Sequence, residues 1–194
     1  MEFTFTNIYD KGIWGGGSGR GSGHKYNKKL IAFLEHFILT NSIKNVLDIG
    51  CGEWEFSRFI DWKCDYEGID CVKSVVDGNR INFETDRIVF NHLDIFSDRS
   101  VLNKYHDLII LKDVLQHWTN DNIINFMDEL YNSNNYKYIL LINSNNRNNE
   151  IIERDINNYY KYAKLDYNKY PLNQYQPQLI FSYQYKQVSL ITKS

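Results

Sequence analysis

The chain is poor in proline, with Pro171 and Pro177 the only two in 194 residues, and no Pro-rich or repeated segment divides it. It has little cysteine: Cys51, Cys64 and Cys71 fit no zinc spacing, and their odd number argues against a disulfide framework. A reducing cytoplasm is the simplest home for such a chain. It lacks a charge excess, with formal net charge −2 and pI near 6.2, so no bulk electrostatic term favours nucleic acid or an anionic membrane. Long apolar runs are missing too, and "YILLI" is far too short to span a bilayer. The first residues, "MEFTFTNIYDKG", lack the basic and apolar regions of a signal peptide. With 43% hydrophobic and 15% aromatic residues, the expectation is one domain over 1–194 around one core.

Periodicity gives an alternation of elements. Residues 24–40 place Leu30, Ile31, Leu34, Phe37 and Ile38 on one helical face. "NVLDI" at 45–49 predicts a buried strand, followed by a helix over 55–61. "YEGID" at 66–70 predicts a second strand and 73–82 a helix. Further strands are expected within 87–95, 106–114 and 136–143, with a helix over 121–131. The final "QLIFSYQYKQVSLIT" reads as two strands joined by a tight turn. Strands separated by helices predict an α/β fold: a Rossmann-like, mostly parallel seven-stranded sheet, helices on both faces, and a C-terminal antiparallel hairpin.

Two segments stand outside the alternation. Residues 12–23, "GIWGGGSGRGSG", form a Gly/Ser loop, and 144–177 are rich in Asn and Tyr. Ligands of open α/β sheets bind beyond the carboxyl ends of the strands, where an insertion over 144–177 is placed to cover an acceptor site.

The chemistry is concentrated in "NVLDIGCGEWEFSRFIDW", 45–62. A pyrophosphate-binding turn wants a third small residue, yet here Trp54, Glu55 and Phe56 follow Gly52. Carboxylates at this turn repel phosphate and favour a ligand with a cationic amine and a sulfonium. S-adenosylmethionine is such a ligand. Its close approach requires Gly50 and Gly52, and its ribose diol needs an acid at the end of the next strand. Asp70 ends "YEGID", 22 residues after Asp48, the spacing of a ribose-gripping acid. The other reading of Asp70 is a cap on the following helix.

"VLDIGCG" followed by "GID" resembles motifs I and II of the class I S-adenosylmethionine-dependent methyltransferases. "HLDIF" (92–96) resembles their third motif, which implies Asp94 and Ile95 beside the adenine, unless Asp94 is a plain turn residue. "DLIILKDVLQHW" (107–118) resembles their fourth, with Lys112 and Asp113 leaving the strand toward the active site. The combination of "WGGGSGRGS", "GCGEWEFS" and "KDVLQHW" is similar to a bacterial-type subgroup with "WGGGSGxGS", a "GCGDWQFS"-like motif I and a "KDVLQHL"-like motif IV. The cofactor set implied is Asp48, Gly50, Cys51, Gly52, Trp54, Asp70, Cys71, Asp94, Ile95 and Lys112. Cys51 reads as a small filler between glycines rather than a nucleophile.

Asp113 and His117 are the candidate proton acceptors, His117 being equally readable as a packed histidine. No metal-ligating set is apparent. The absence of Asp/Asn-Pro-Pro-Tyr, of Pro-Cys and of a basic stripe disfavours DNA-base and large-RNA acceptors. A small-molecule acceptor is left, foremost a hydroxyl of a sugar or nucleotide-sugar, which the subgroup's association with surface glycans suggests; the alternatives are N-methylation of a small amine or peptide, or a non-catalytic cofactor-binding protein. Nothing fixes the oligomeric state. Residues 1–23 are expected to act as a lid, with Trp14, Arg20 and Ser22 meeting the acceptor, the alternative being a tether.

Overall fold

The computed structural model describes residues 2–145 and 164–193. Two compact units divide it, Met1–Asp98 and Arg99–Ser194. The seven strands belong to one mixed sheet, ordered β3-β2-β1 in the first unit and β4-β5-β7-β6 in the second.

The first unit runs α1 (Glu2–Asp10), α2 (His24–Thr40), β1 (Asn45–Ile49), β2 (Asp65–Asp70), α3 (Lys73–Phe83) and β3 (Ile88–His92). The expected stripe of α2 is buried: Leu30, Ile31, Leu34, Phe37 and Ile38. Asn41 closes that helix, its side-chain amide donating to the Phe37 carbonyl at 2.9 Å. Four of the five β1 residues are buried, as a parallel strand covered on both faces requires. β1 pairs in parallel with β2, Asp48 opposite Gly68 and Ile49 opposite Ile69, and β2 pairs in parallel with β3.

The helix expected over 55–61 is absent. Only Ser57–Phe59 forms a single 3-10 turn. Trp54, Phe56, Ile60 and Trp62 are all buried, and no single helical face accommodates that spacing. Conversely, α1 occupies part of the 1–23 segment expected to be loop, with Ile8 fully buried.

The second unit contains β4 (His106–Lys112), α4 (Asn120–Asn132), β5 (Tyr136–Ser144), β6 (Gln178–Tyr183) and β7 (Lys186–Thr192). Thr119 caps α4, its hydroxyl accepting from the Asn122 N–H at 3.1 Å. β4 and β5 are parallel, whereas β7 runs antiparallel to both β5 and β6, so the predicted hairpin is present. Most of the 144–177 insertion, residues 146–163, lies outside the described residues.

Candidate functional site

β1 delivers the chain into a turn that only glycine adopts without strain at two points, Gly50 (φ 74) and Gly52 (φ 56). The turn is pinned to the end of β2: the Gly50 and Cys51 N–H groups both donate to the Ile69 carbonyl, at 2.8 and 3.1 Å. Asp70 completes the junction. Its Oδ2 accepts the Gly52 N–H at 3.0 Å and its Oδ1 accepts the Val72 N–H at 3.0 Å. Burial raises the Asp70 pKa, and backbone N–H groups of Val72, Gly52 and Cys71 oppose that rise. Each carboxylate oxygen keeps a further lone pair, so a vicinal diol can donate to both.

Residues missed in the sequence complete this junction. Buried Asn79 on α3 donates to the Gly52 carbonyl at 2.7 Å. Tyr66 donates to Asp48 Oδ2 at 2.7 Å, deep in the first unit. Only closure of β2 and α3 onto the turn brings these groups in, and no local motif marks them.

Cys51 is held as a thiol by burial and then by the Asp70 and Asp48 charges, in keeping with a filler. A Cβ at Gly68 would lie 3.0 Å from its sulfur, so a glycine there makes the room. The Trp54 indole goes into the aromatic core, with ring centroids 5.5 Å from Tyr66 and 5.2 Å from both Phe83 and Phe90. Burial also raises the Cys71 thiol pKa, at the start of the loop after β2. Asp94 accepts the Phe96 N–H at 3.1 Å and the Glu2 N–H at 3.2 Å, inside a turn that also buries Ile95.

The Gly/Ser loop folds against this junction. Ser18 Oγ accepts the Glu53 N–H at 2.8 Å and hydrogen-bonds the Tyr9 hydroxyl at 2.8 Å. A Cβ at Gly52 would sit 2.5 Å from Ser18 Oγ. Ser22 donates to the Ser18 carbonyl at 3.1 Å, and Asn27 donates to the Gly21 and Gly23 carbonyls, each at 2.9 Å. Trp14 packs edge-on against Phe5 and Tyr9, while Arg20 lies over the Tyr26 ring. Glu53 and Glu55 flank Gly17, where any Cβ would overlap the Glu53 carboxylate. Burial and then Glu53 raise the Glu55 pKa.

A second polar cluster lies within the other unit. Asp113, at φ 61 just after β4, accepts from Lys112 Nζ at 2.7 Å and from Lys186 Nζ through its other oxygen. Lys186 also donates to Ser144 Oγ at 3.3 Å. Burial would raise the Asp113 pKa, but Lys112 and Lys186 outweigh it and hold the carboxyl at about 2. Burial lowers the Lys186 pKa, opposed by Asp113. His117 ends the 3-10 turn Leu115–His117 and is half-buried. Lys186 and Ser144 escaped the sequence reading because the β5–β7 register alone brings them opposite each other.

The donor set of the first unit fits S-adenosylmethionine. Gly50 and Gly52 hold the turn in its left-handed conformation, Asp70 can take a diol, and Asp48, Glu53 and Glu55 make the turn acidic. Among the described residues no Lys or Arg forms an ion pair with Asp70, Glu53 or Glu55. No His, Cys, Asp and Glu group suited to a metal occurs among the described residues, nor any helix long and apolar enough to cross a membrane.

No protein-family profile matches the chain, and no curated protein matches it in sequence. Solved structures do match. The methyltransferase domain of bacterial CtHen1 is 14% identical with a TM-score of 0.65, over 86% of this chain and 98% of that one. Magnesium protoporphyrin IX methyltransferase from Synechocystis with bound SAM is 12% identical with a TM-score of 0.64, over 100% and 97%. The N-methyltransferase NodS from Bradyrhizobium japonicum, in complex with S-adenosyl-L-homocysteine, is 17% identical with a TM-score of 0.53, over 65% and 66%. The fold is therefore the Rossmann-like fold of class I methyltransferases, with its antiparallel C-terminal hairpin.

Proposed function

We propose that the chain is an S-adenosylmethionine-dependent methyltransferase acting on a small acceptor, foremost a hydroxyl of a sugar or nucleotide-sugar. One observation carries the reading: the Asp70 carboxylate, fixed by the Gly52 and Val72 N–H groups, stands at the end of β2 beside the Gly50–Gly52 turn. When bound, the cofactor supplies a methyl carbon made electrophilic by its sulfonium, with a neutral thioether as leaving group. The chain's own residues bind and orient it. Asp70 takes the ribose hydroxyls, Gly50 and Gly52 admit close approach, and Asp48, Glu53 and Glu55 favour the positive charge. Cys71, Asp94 and Ile95 shape the surrounding wall, with Cys51 and Trp54 packed behind the turn.

Asp113, with its carboxyl at about 2, is a weak base at neutral pH. On this reading it holds Lys112 and Lys186, which leaves His117 as the group to take a proton from a hydroxyl acceptor. Residues 12–23 act as a lid and the enzyme works in the cytoplasm, while most of the insertion expected over the acceptor lies outside the described residues. A second reading, N-methylation of a small amine or peptide, is favoured by the structural match to NodS, an N-methyltransferase. Incubation with methyl-labelled cofactor and fractionated sugar and amine acceptors tests both. Label in an O-methyl sugar supports the first and label in an N-methyl amine the second. A protein that binds the cofactor but forms no S-adenosylhomocysteine with any fraction is no transferase.

A further inference from the structure

Tyr9 on α1 and Ser18 in the Gly/Ser loop share one hydrogen bond, 2.8 Å between the two hydroxyl oxygens. The pair carries two hydroxyl protons. Whichever residue donates, the shared bond uses only one, and the 2.8 Å bond from the Glu53 N–H occupies a lone pair of Ser18 rather than a proton. One O–H proton is left over, on either oxygen, without a partner among the described residues.

The pair's position gives that proton a target. A Cβ on Gly52 would meet Ser18 Oγ at 2.5 Å and the Tyr9 hydroxyl at 3.3 Å, so both hydroxyls overhang the residue whose N–H binds Asp70. Burial, followed by the nearby Asp70 charge, raises the Tyr9 pKa and keeps the phenol a donor. A ribose diol that gives both protons to Asp70 presents oxygen lone pairs with no donor of their own. We propose that the Tyr9–Ser18 hydroxyl pair is a cofactor-recognition element that donates its spare proton to a ribose oxygen whose own proton goes to Asp70. The proposal rests on the S-adenosylmethionine reading. It gives the N-terminal segment a task in recognising a nucleoside cis-diol, over and above covering the site.

The test is calorimetric titration of wild type and the double variant Tyr9→Phe/Ser18→Ala with S-adenosylhomocysteine and with its 2′,3′-dideoxyribose counterpart, alongside thermal melts of each protein. Both hydroxyls are removed because either one alone still keeps a free proton. The double variant is expected to bind S-adenosylhomocysteine about five- to tenfold more weakly, the loss of roughly one hydrogen bond. Wild type and variant should bind the dideoxy probe equally weakly, because the oxygens that accept the proton are gone. Undiminished affinity for S-adenosylhomocysteine in the folded double variant overturns the proposal, as does an equal penalty with the dideoxy probe. If wild type binds neither probe, the cofactor reading itself fails, an outcome separate from failure of the hydroxyl pair alone.

Discussion

Asp70 and Gly52 are joined by a 3.0 Å hydrogen bond from the glycine N–H to the carboxylate, which ties the glycine turn to the acid that ends β2. A ligand that approaches the turn meets the carboxylate in a preset position. Asp70→Ala removes both that anchor and the diol acceptor. The expected loss in S-adenosylmethionine affinity is about 2–3 kcal/mol, given charge-assisted bonds of ~1.5–3 kcal/mol each, partly replaced by water. Unchanged affinity in a folded variant removes Asp70 from the cofactor site.

Gly52→Ala places a methyl group 2.5 Å from Ser18 Oγ at a residue with φ 56. The left-handed backbone alone costs roughly 1–2 kcal/mol for a non-glycine residue, and Ser18 must also shift. A lower melting temperature is expected, with faster proteolysis of the loop around Ser18. A melting temperature equal to that of wild type contradicts the close packing of that loop on the turn.

Asp113→Asn leaves Lys112 and Lys186 without the carboxylate they share. Breaking a buried pair by removing one partner costs about 3–5 kcal/mol, and the lower end applies because Asp113 is partly exposed. The acid limb of the stability curve should change too. The folded Asp113 pKa, about 2, lies below the ~3.9 of an unfolded Asp. Its contribution is present above pH ~4 and fades as pH falls toward 2. Denaturant titrations between pH 2 and 6 should show this loss in wild type and a shallower one in Asp113→Asn.

The parallel half of the sheet was legible because buried parallel strands leave unbroken apolar runs, "NVLDI" among them, punctuated by glycine and aspartate. Asp70 was legible for the same reason: a strand end fixes where an acid emerges. The turn after Gly52 was not. A helix was expected over 55–61, yet Trp54, Phe56, Ile60 and Trp62 are buried from an irregular path, with Trp54 packed in the aromatic cluster of Tyr66, Phe83 and Phe90. The helix α1 was hidden because "EFTFT" alternates apolar and polar residues like a strand. Tyr9, Asn79 and Lys186 carry no motif, and they, like Ser18 within "WGGGSGRGS", acquire their roles through a contact at least nine residues away in sequence.

Removal of residues 1–23 tests the N-terminal segment as a whole. Ile8 is fully buried, so truncation should cost stability by about 1.5–3 kcal/mol. Methyl transfer should fall far more than that loss explains, once assays are run where the truncated protein is folded. Full turnover in the truncated, folded protein would reduce the segment to a structural strap.

The central claim is most directly tested by calorimetric titration of the intact protein with S-adenosylhomocysteine and, separately, with NAD. The expected result is saturable binding of S-adenosylhomocysteine at one site, lost in Asp70→Ala, with no heat from NAD. Binding of NAD, or no binding of S-adenosylhomocysteine by the folded protein, contradicts the methyltransferase reading.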